Sequence, residues 1–339
     1  MSEPNKLKFI ALIAGPILGL VGALVLSTSG LTQPAAMTAG ITIWVGTWWI
    51  FEPIPIPATS LIPFAAFPLA GILPNKAIAQ AYGHWLILLL LGGFILSVAM
   101  EKSGVHRRLA INMIRLVGGT EPKRLILGFM LATALLSGWI SNTATTLMML
   151  PVALALSDEL PGPESARALL LGLAYAASIG GIATPIGTPP NIVLMGIYQE
   201  ATGADIGFLD WMLLGAPIAF VLLATAWLYL TRSIPKSSSD STSSLDALPE
   251  LGPMSSHERR ILVVFGLTAL AWITRAQPFG GWTGMLGLTT VGDDTVALAA
   301  VVVLFLVPSG QASGERLLDW ESATKIPWGL LILFGGGIG

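Results

Sequence analysis

The sequence predicts an all-α integral membrane protein on three observations. Its composition is too apolar for water, it holds a succession of runs long enough to cross a bilayer, and two of those runs are broken by polar or proline-rich segments. Apolar residues make up 54% of 339 and charged residues only 11%, where a soluble domain carries about 25% charged. The mean hydropathy of +0.77 agrees. Cysteine is absent, which removes disulfides, thiolate metal sites and cysteine nucleophiles. The net charge is −2 without long basic runs, so there is no electrostatic footprint for nucleic acid.

A spanning helix needs roughly 20 mainly apolar residues. The first candidate, residues 7–26, is too long and apolar for a signal-peptide core and lacks a small-residue cleavage site, so it reads as a retained span. Candidates follow at 35–51, 57–73 and 84–100. Residues 105–117 mix Arg107, Arg108 and Arg115 with Leu109, Ile111 and Ile114, the pattern of an amphipathic helix at a membrane interface. Further apolar runs occupy 125–157, 168–198, 208–230, 261–273, 295–307 and 328 to the end. The stretch 233–256 is rich in serine, proline and acids and reads as a flexible connector.

Lysine and arginine set the orientation. With the N-terminus in the cytoplasm and 125–157 folded back to its own side, Lys102, Arg107, Arg108, Arg115, Lys123, Arg124 and Arg167 are all cytoplasmic. Arg232, Lys236, Arg259, Arg260, Arg316 and Lys325 join them. Only Lys76 and Arg275 fall outside, among Glu200, Asp205, Asp210, Asp293 and Asp294. A single crossing by 125–157 would invert every later loop, so the charge pattern predicts a re-entrant hairpin.

An internal repeat is visible. Trp85 to Ile95 resembles Trp328 to Ile338, each carrying paired glycines (Gly92-Gly93, Gly335-Gly336), and Trp49-Ile50 before Pro53 echoes Trp272-Ile273 before Pro278. On the path above the paired segments run in opposite directions, the inverted-repeat arrangement of secondary transporters.

The chemistry sits in the breaks. Gly138-Trp139-Ile140-Ser141-Asn142-Thr143 separates two segments that are each too short to cross. Backbone freed from a helix at membrane depth must be satisfied by protein, water or ligand. Ser141, Asn142 and Thr143 supply neutral oxygens and donors suited to a hard cation such as Na⁺ or to a carboxylate. The following helix would aim its N-terminal N–H groups at an anion. The same three residues also make an ordinary N-cap. The second break, Gly180 to Asn191, contains Thr184, Pro185, Gly187, Thr188, Pro189 and Pro190; its prolines lack N–H groups, so no continuous helix survives there. A proline kink is the plain alternative. A discontinuous helix whose carbonyls, with Thr188 and Asn191, face the hairpin tip as a cation cage is the functional one.

No lysine or arginine lies inside a predicted span, so an anion site here relies on helix N-termini, hydroxyls, amides and bound cations. That points to cation-coupled anion transport. An intramembrane enzyme would need a nucleophile–base pair or metal cluster at depth, and the sequence offers neither HExxH nor GxSxG nor an acidic pair within a span. A passive channel does not call for paired broken helices at one depth.

SNTATTLMMLP (141–151), SIGGIATPIGTPPN (178–191), EPIPIPATSLIP (52–63) and LLGGFILSVAMEKSGVHRRLA (90–110) resemble the first-half motifs of the divalent anion/sodium symporter family, and the similarity runs along nearly the whole chain. The resemblance implies an inverted-repeat, elevator-type secondary transporter, acting as a homodimer in the inner membrane. The resemblance implies import of C4-dicarboxylates such as succinate, malate and fumarate with Na⁺; citrate, sulfate or sodium-independent exchange are the alternatives within the family. It further implies that Ser141, Asn142, a carbonyl at Ser137 and Gly187 hold Na⁺, and that Asn142, Thr143 and Thr188 contact the substrate carboxylate. No other cofactor is implied.

The expected organisation is a scaffold and dimerisation part over 1–83 and a transport part over 84–207, with hairpin 122–158 and broken helix 168–198. A span over 208–232, a cytoplasmic linker over 233–256 and the start of a second inverted repeat over 257–339 complete it. The family pattern has a second Ser-Asn-Thr hairpin, which the resemblance places beyond Gly339, so the second repeat is expected to be incomplete here.

Overall fold

The structure, a computed structural model, describes residues 3–118, 121–234, 248–277, 279–288, 290–311 and 314–338. Residues 235–247 of the expected linker, with Lys236, and Pro278 and Gly339 lie outside the described residues. Those described are helical or irregular, with one isolated antiparallel bridge between Pro308 and Arg316. The chain divides into two compact units, Met1–Leu88 with Pro327–Gly339, and Leu89–Ile326.

In the first unit, α1 (Glu3–Thr28) and α2 (Gln33–Phe51) pair along a glycine seam. A Cβ on Gly19 would stand 2.6 Å from Gly40 O, and one on Gly40 2.5 Å from Gly19 O. Small residues let two backbones approach where lipid supplies no hydrophobic drive. Trp48 locks the pair by donating Nε1 to Ala11 O at 3.0 Å. The outer face of α1 exposes Leu7, Ile10, Ile13 and Ile17, and Lys6–Thr28 is long and apolar enough to cross a membrane, so lipid is its solvent. Glu52 ends α2 in a left-handed conformation, φ 46°, with its side chain exposed.

The apolar run at 57–73 is not one span. It forms α3 (Ile56–Thr59) and α4 (Ile62–Leu69), because Pro63 starts a helix rather than continuing one and Pro68 withholds another N–H. With α5 (Asn75–Tyr82) they close a small core on Ile41, Val45, Phe67 and Ile78. Helix Trp328–Ile338 packs here through its paired glycines, Gly335 on the Tyr82 ring and Gly336 on Ser60 O.

The second unit begins within α6 (Trp85–Ser103) and continues into α7 (Val105–Val117). The helix at 105–117 is amphipathic as its pattern predicts: Val105, His106, Ala110, Ile111 and Ile114 are buried while Arg107 and Arg115 are exposed. Next come α8 (Pro122–Ser137), α9 (Asn142–Glu159), α10 (Gly162–Gly180), α11 (Pro189–Thr202) and α12 (Phe208–Thr231). At about 1.5 Å per residue, α8 reaches about 24 Å, short of a bilayer core of about 30 Å.

Close approaches fix the directions. Gly172 abuts Ile126 and Met130 while Gly180 abuts Ala134, so α8 and α10 run parallel. Asn142, at the start of α9, meets Gly181 just past the end of α10, and α9 ends where α10 begins, so those two run antiparallel. The segment 122–159 is therefore a hairpin that returns to the side it left. The far end of α12 holds its base, Trp227 donating to Lys123 O at 2.9 Å.

The remaining helices are α13 (Ser256–Ile273), α14 (Gly281–Met285), α15 (Asp293–Leu306) and α16 (Trp320–Ala323). Ser255 and Glu258 form a reciprocal capping box at the head of α13. Glu258 also accepts from Arg108 Nε at 2.8 Å, while Arg108 Nη1 reaches Gly252 O at 2.8 Å and Arg115 reaches Pro249 O at 3.1 Å. These arginines pin the described end of the linker to α7. Lys102 pairs with Asp319 on the same side.

Candidate functional site

The hairpin tip, between α8 and α9, docks directly on the break between α10 and α11. Glycine makes this possible at specific points. Gly180 lies so close to Ala134 of α8 that no Cβ fits. A Cβ on Gly181 would meet the Asn142 amide at 2.6 Å, and one on Gly187 would meet Gly181 O at 2.5 Å and Gly138 O at 3.0 Å.

Two side chains lace this joint. Thr184 is buried; its hydroxyl donates to Gly138 O in the tip and accepts from Gly187 N at 3.1 Å. Asn191, also buried, donates Nδ2 to Gly181 O and Thr184 O, both at 2.8 Å. Asn191 thus ties the break to itself. Pro185 is buried, Pro189 half-buried and Pro190 exposed at the start of α11, where their missing N–H groups leave no donors to satisfy.

The Asn142 side chain occupies the middle. One end of its amide lies 2.6 Å from Ser137 Oγ, 3.2 Å from Ala177 O and 3.3 Å from Gly187 O. Ser137 is fully buried, and its hydroxyl lies 2.6 Å both from Ala177 O, which can accept its proton, and from the inward end of the Asn142 amide. With the amide nitrogen turned inward, donors face acceptors and the joint is closed by hydrogen bonds. With the amide oxygen inward, four oxygens converge, an arrangement that a cation among them would stabilise. A half-turn of one side chain separates the two.

The structure therefore brings Asn142 and Gly187 together around one point with the hydroxyl of Ser137, where the carbonyl of Ser137 was expected, and with Ala177 O as a fourth member. Nothing in the sequence singled out Ala177, since a backbone carbonyl in the last turn of a helix leaves no trace in residue type. Ser141 caps α9 through a long contact from Ala144 N, 3.5 Å. Thr143 is exposed on the first turn of α9 and Thr188 half-exposed as the N-cap of α11; among the described residues neither hydroxyl has a hydrogen-bond partner. Two helix N-termini thus carry spare hydroxyls beside the joint, the arrangement that suits an anion.

Four aromatic residues to which the sequence analysis gave no role at the site support it. Trp139 in the tip stacks on Phe208 with centroids 6.0 Å apart, and Phe208 stacks on Trp272 at 4.5 Å. Trp211 donates Nε1 to Ile182 O in the break at 2.9 Å. In sequence they look like interfacial aromatics; their role depends on contacts between distant segments.

The family model described as citrate transporter matches residues 47–339. The sodium-dependent dicarboxylate transporter SdcS of Staphylococcus saprophyticus is 40% identical over 351 residues, covering 98% of this chain and 67% of that protein. SdcS of Staphylococcus aureus strain USA300 is 39% identical over 348 residues, covering 98% and 66%. The chain spans about two thirds of the length of these relatives.

Proposed function

The chain belongs to the citrate transporter family, and from that premise we propose that it is a sodium-coupled carrier importing C4-dicarboxylates such as succinate, malate and fumarate. Its family and its long apolar helices make it a multi-pass membrane protein and not an enzyme. The observation that carries the proposal is the Asn142 amide set against Ser137 Oγ, Ala177 O and Gly187 O. The names of the relatives, sodium-dependent dicarboxylate transporters, support the choice of ion and anion.

On this reading Na⁺ enters the joint as cargo, drawing the Asn142 oxygen inward alongside Ser137, Ser141 and Gly187. That fastens the hairpin tip to the break and steadies the first turn of α9. Asn142, Thr143 and Thr188 then receive the carboxylate. Cation and carboxylate attract by about 4 kcal/mol when 4 Å apart at an effective dielectric near 20, which makes binding of one depend on the other without any lysine or arginine at the site.

The wider reading is an inverted-repeat, elevator-type homodimer in the inner membrane with its N-terminus in the cytoplasm, where Lys102, Arg108, Arg115 and Arg260 also lie. The hairpin that returns to its own side supports this, as does the placement of Arg124, Arg167 and Arg232 near its base. The description of the matched family carries a second reading, citrate as the anion.

Uptake of labelled succinate by the full-length protein in proteoliposomes, with and without a sodium gradient, tests the proposal. Uptake indifferent to sodium, or an Asn142→Ala variant with unchanged sodium dependence, would sink it; competition by citrate that exceeds succinate would select the second reading.

A further inference from the structure

The first turns of α12 touch both sides of the joint. Phe208 is 1% exposed, its ring between Trp139 of the hairpin tip and Trp272 of α13. One turn on, Trp211 donates to Ile182 O of the break. After another turn Gly215 comes so near that a Cβ would stand 2.6 Å from the same carbonyl. Trp139 adjoins Gly138, whose carbonyl receives Thr184; Ile182 adjoins Gly181, which abuts the Asn142 amide. A shift of either neighbour moves an atom of the joint.

The start of α12 is itself anchored. Asp293 is 3% exposed, accepts from Phe208 N at 3.0 Å, and pairs with Arg275 Nε at 2.5 Å. Its carbonyl accepts from Trp272 Nε1 at 2.9 Å. Phe208 is thus held through its backbone and its ring by one cluster.

We propose that Phe208 and Trp211 are positioning residues that set the cation affinity of the joint, by holding the hairpin tip and the break in register from a single anchored helix start. This rests on the sodium-coupled reading above. Neither residue touches the ion. Each governs the spacing of atoms that would.

The same helix supplies its own control. Trp227 makes an equivalent indole-to-carbonyl bond, to Lys123 O at the hairpin base, also at 2.9 Å, and touches neither the tip nor the break. Sodium titrations of succinate uptake by the full-length protein are compared for Trp211→Phe, Phe208→Leu, Phe208→Tyr and Trp227→Phe, with thermal unfolding of each. Loss of one neutral hydrogen bond that orders the site should raise the sodium concentration for half-maximal uptake about fivefold in Trp211→Phe, with maximal rate within about twofold. Phe208→Leu should do the same through lost stacking, and Phe208→Tyr should restore the sodium affinity. Trp227→Phe should lower the melting temperature and leave the sodium affinity where it was.

Equal effects of Trp211→Phe and Trp227→Phe on sodium affinity would overturn the proposal, as would an unchanged affinity in both site variants. If Trp211→Phe does not fold, Phe208→Leu against Phe208→Tyr decides by the same criterion. Sodium-independent uptake by the unaltered protein removes the sodium-coupled reading and this inference together.

Discussion

Thr184 gives its hydroxyl proton to the carbonyl of Gly138, a residue 46 positions earlier in the chain. This bond fastens the broken segment after α10 to the tip of the preceding hairpin, and it is buried. Both elements leave the regular helical hydrogen-bond ladder, and each uses the other to satisfy part of what it lost.

Replacing Thr184 with Val keeps the shape and removes the hydroxyl. Gly138 O and Gly187 N then lose a buried partner, at a cost of about 1–3 kcal/mol. The melting temperature of the purified protein should fall and Thr184→Ser should restore most of it. A Val variant as stable as the parent would mean that water replaces the bond.

Gly187→Ala should disable transport more severely than it harms folding. Its Cβ would press on Gly181 O at 2.5 Å and Gly138 O at 3.0 Å, spreading the tip from the break. Sodium-driven uptake is expected to drop by at least about tenfold, corresponding to about 1.4 kcal/mol at the site. The result to look for is protein that reaches the membrane in normal amount and is inactive; normal uptake would count against a joint that closes at Gly187.

Arg108 and Glu258 form an ion pair whose side chains are 13% and 11% exposed. Arg108→Ala removes the charged partner of Glu258 and frees the carbonyls of Gly252 and Pro253, so destabilisation of about 1–3 kcal/mol is expected. Glu258→Gln should cost less, since Arg108 keeps its backbone partners. Comparing melting temperatures at neutral pH distinguishes the two.

The same pair carries a pH dependence. The guanidinium of Arg108, followed by the Ser255 cap, holds the Glu258 carboxyl below its ordinary value of 4.5, against the opposing push of burial. A carboxyl depressed in the folded state binds fewer protons folded than unfolded. Its stabilisation is therefore fully present above 4.5 and is lost as pH falls through the depressed value. Melting temperatures followed from pH 7 downward should drop on the acid side, and Glu258→Gln should flatten that part of the curve. Parallel curves would show that other carboxyls dominate.

Asp293→Ala should be among the most damaging substitutions on the opposite end of α12. It removes the partner of Arg275 and leaves Phe208 N unsatisfied, with an expected loss of about 3–5 kcal/mol. Asp293→Asn keeps the acceptor for Phe208 N and should recover part of the loss in a thermal unfolding assay.

Legibility from the sequence varied with how local the determinant was. The amphipathic helix at 105–117 was readable because its arginines and aliphatics alternate at helical spacing. The turn between α8 and α9 was readable because the polar break at 138–143 interrupts an apolar run, and polarity is a property of the segment itself. The run at 57–73 misled because its hydropathy suits a span while its prolines start new helices. Trp139, Phe208 and Trp211 were given no role at the site because an aromatic near a membrane interface has the same signature whether it faces lipid or holds a joint.

By itself the sequence determined which stretches belong in lipid and where the backbone must leave the helix. Both follow from side-chain polarity and from the missing N–H of proline, properties a residue carries wherever it lies. Only the tertiary structure decided which freed groups meet: Thr184 with Gly138, Asn191 with Gly181, Trp211 with Ile182, and the Asn142 amide with three oxygens. Such partners are chosen by how helices dock and how closely glycines let them approach. That geometry is set by all the packed surfaces of the unit together, so no single segment encodes it.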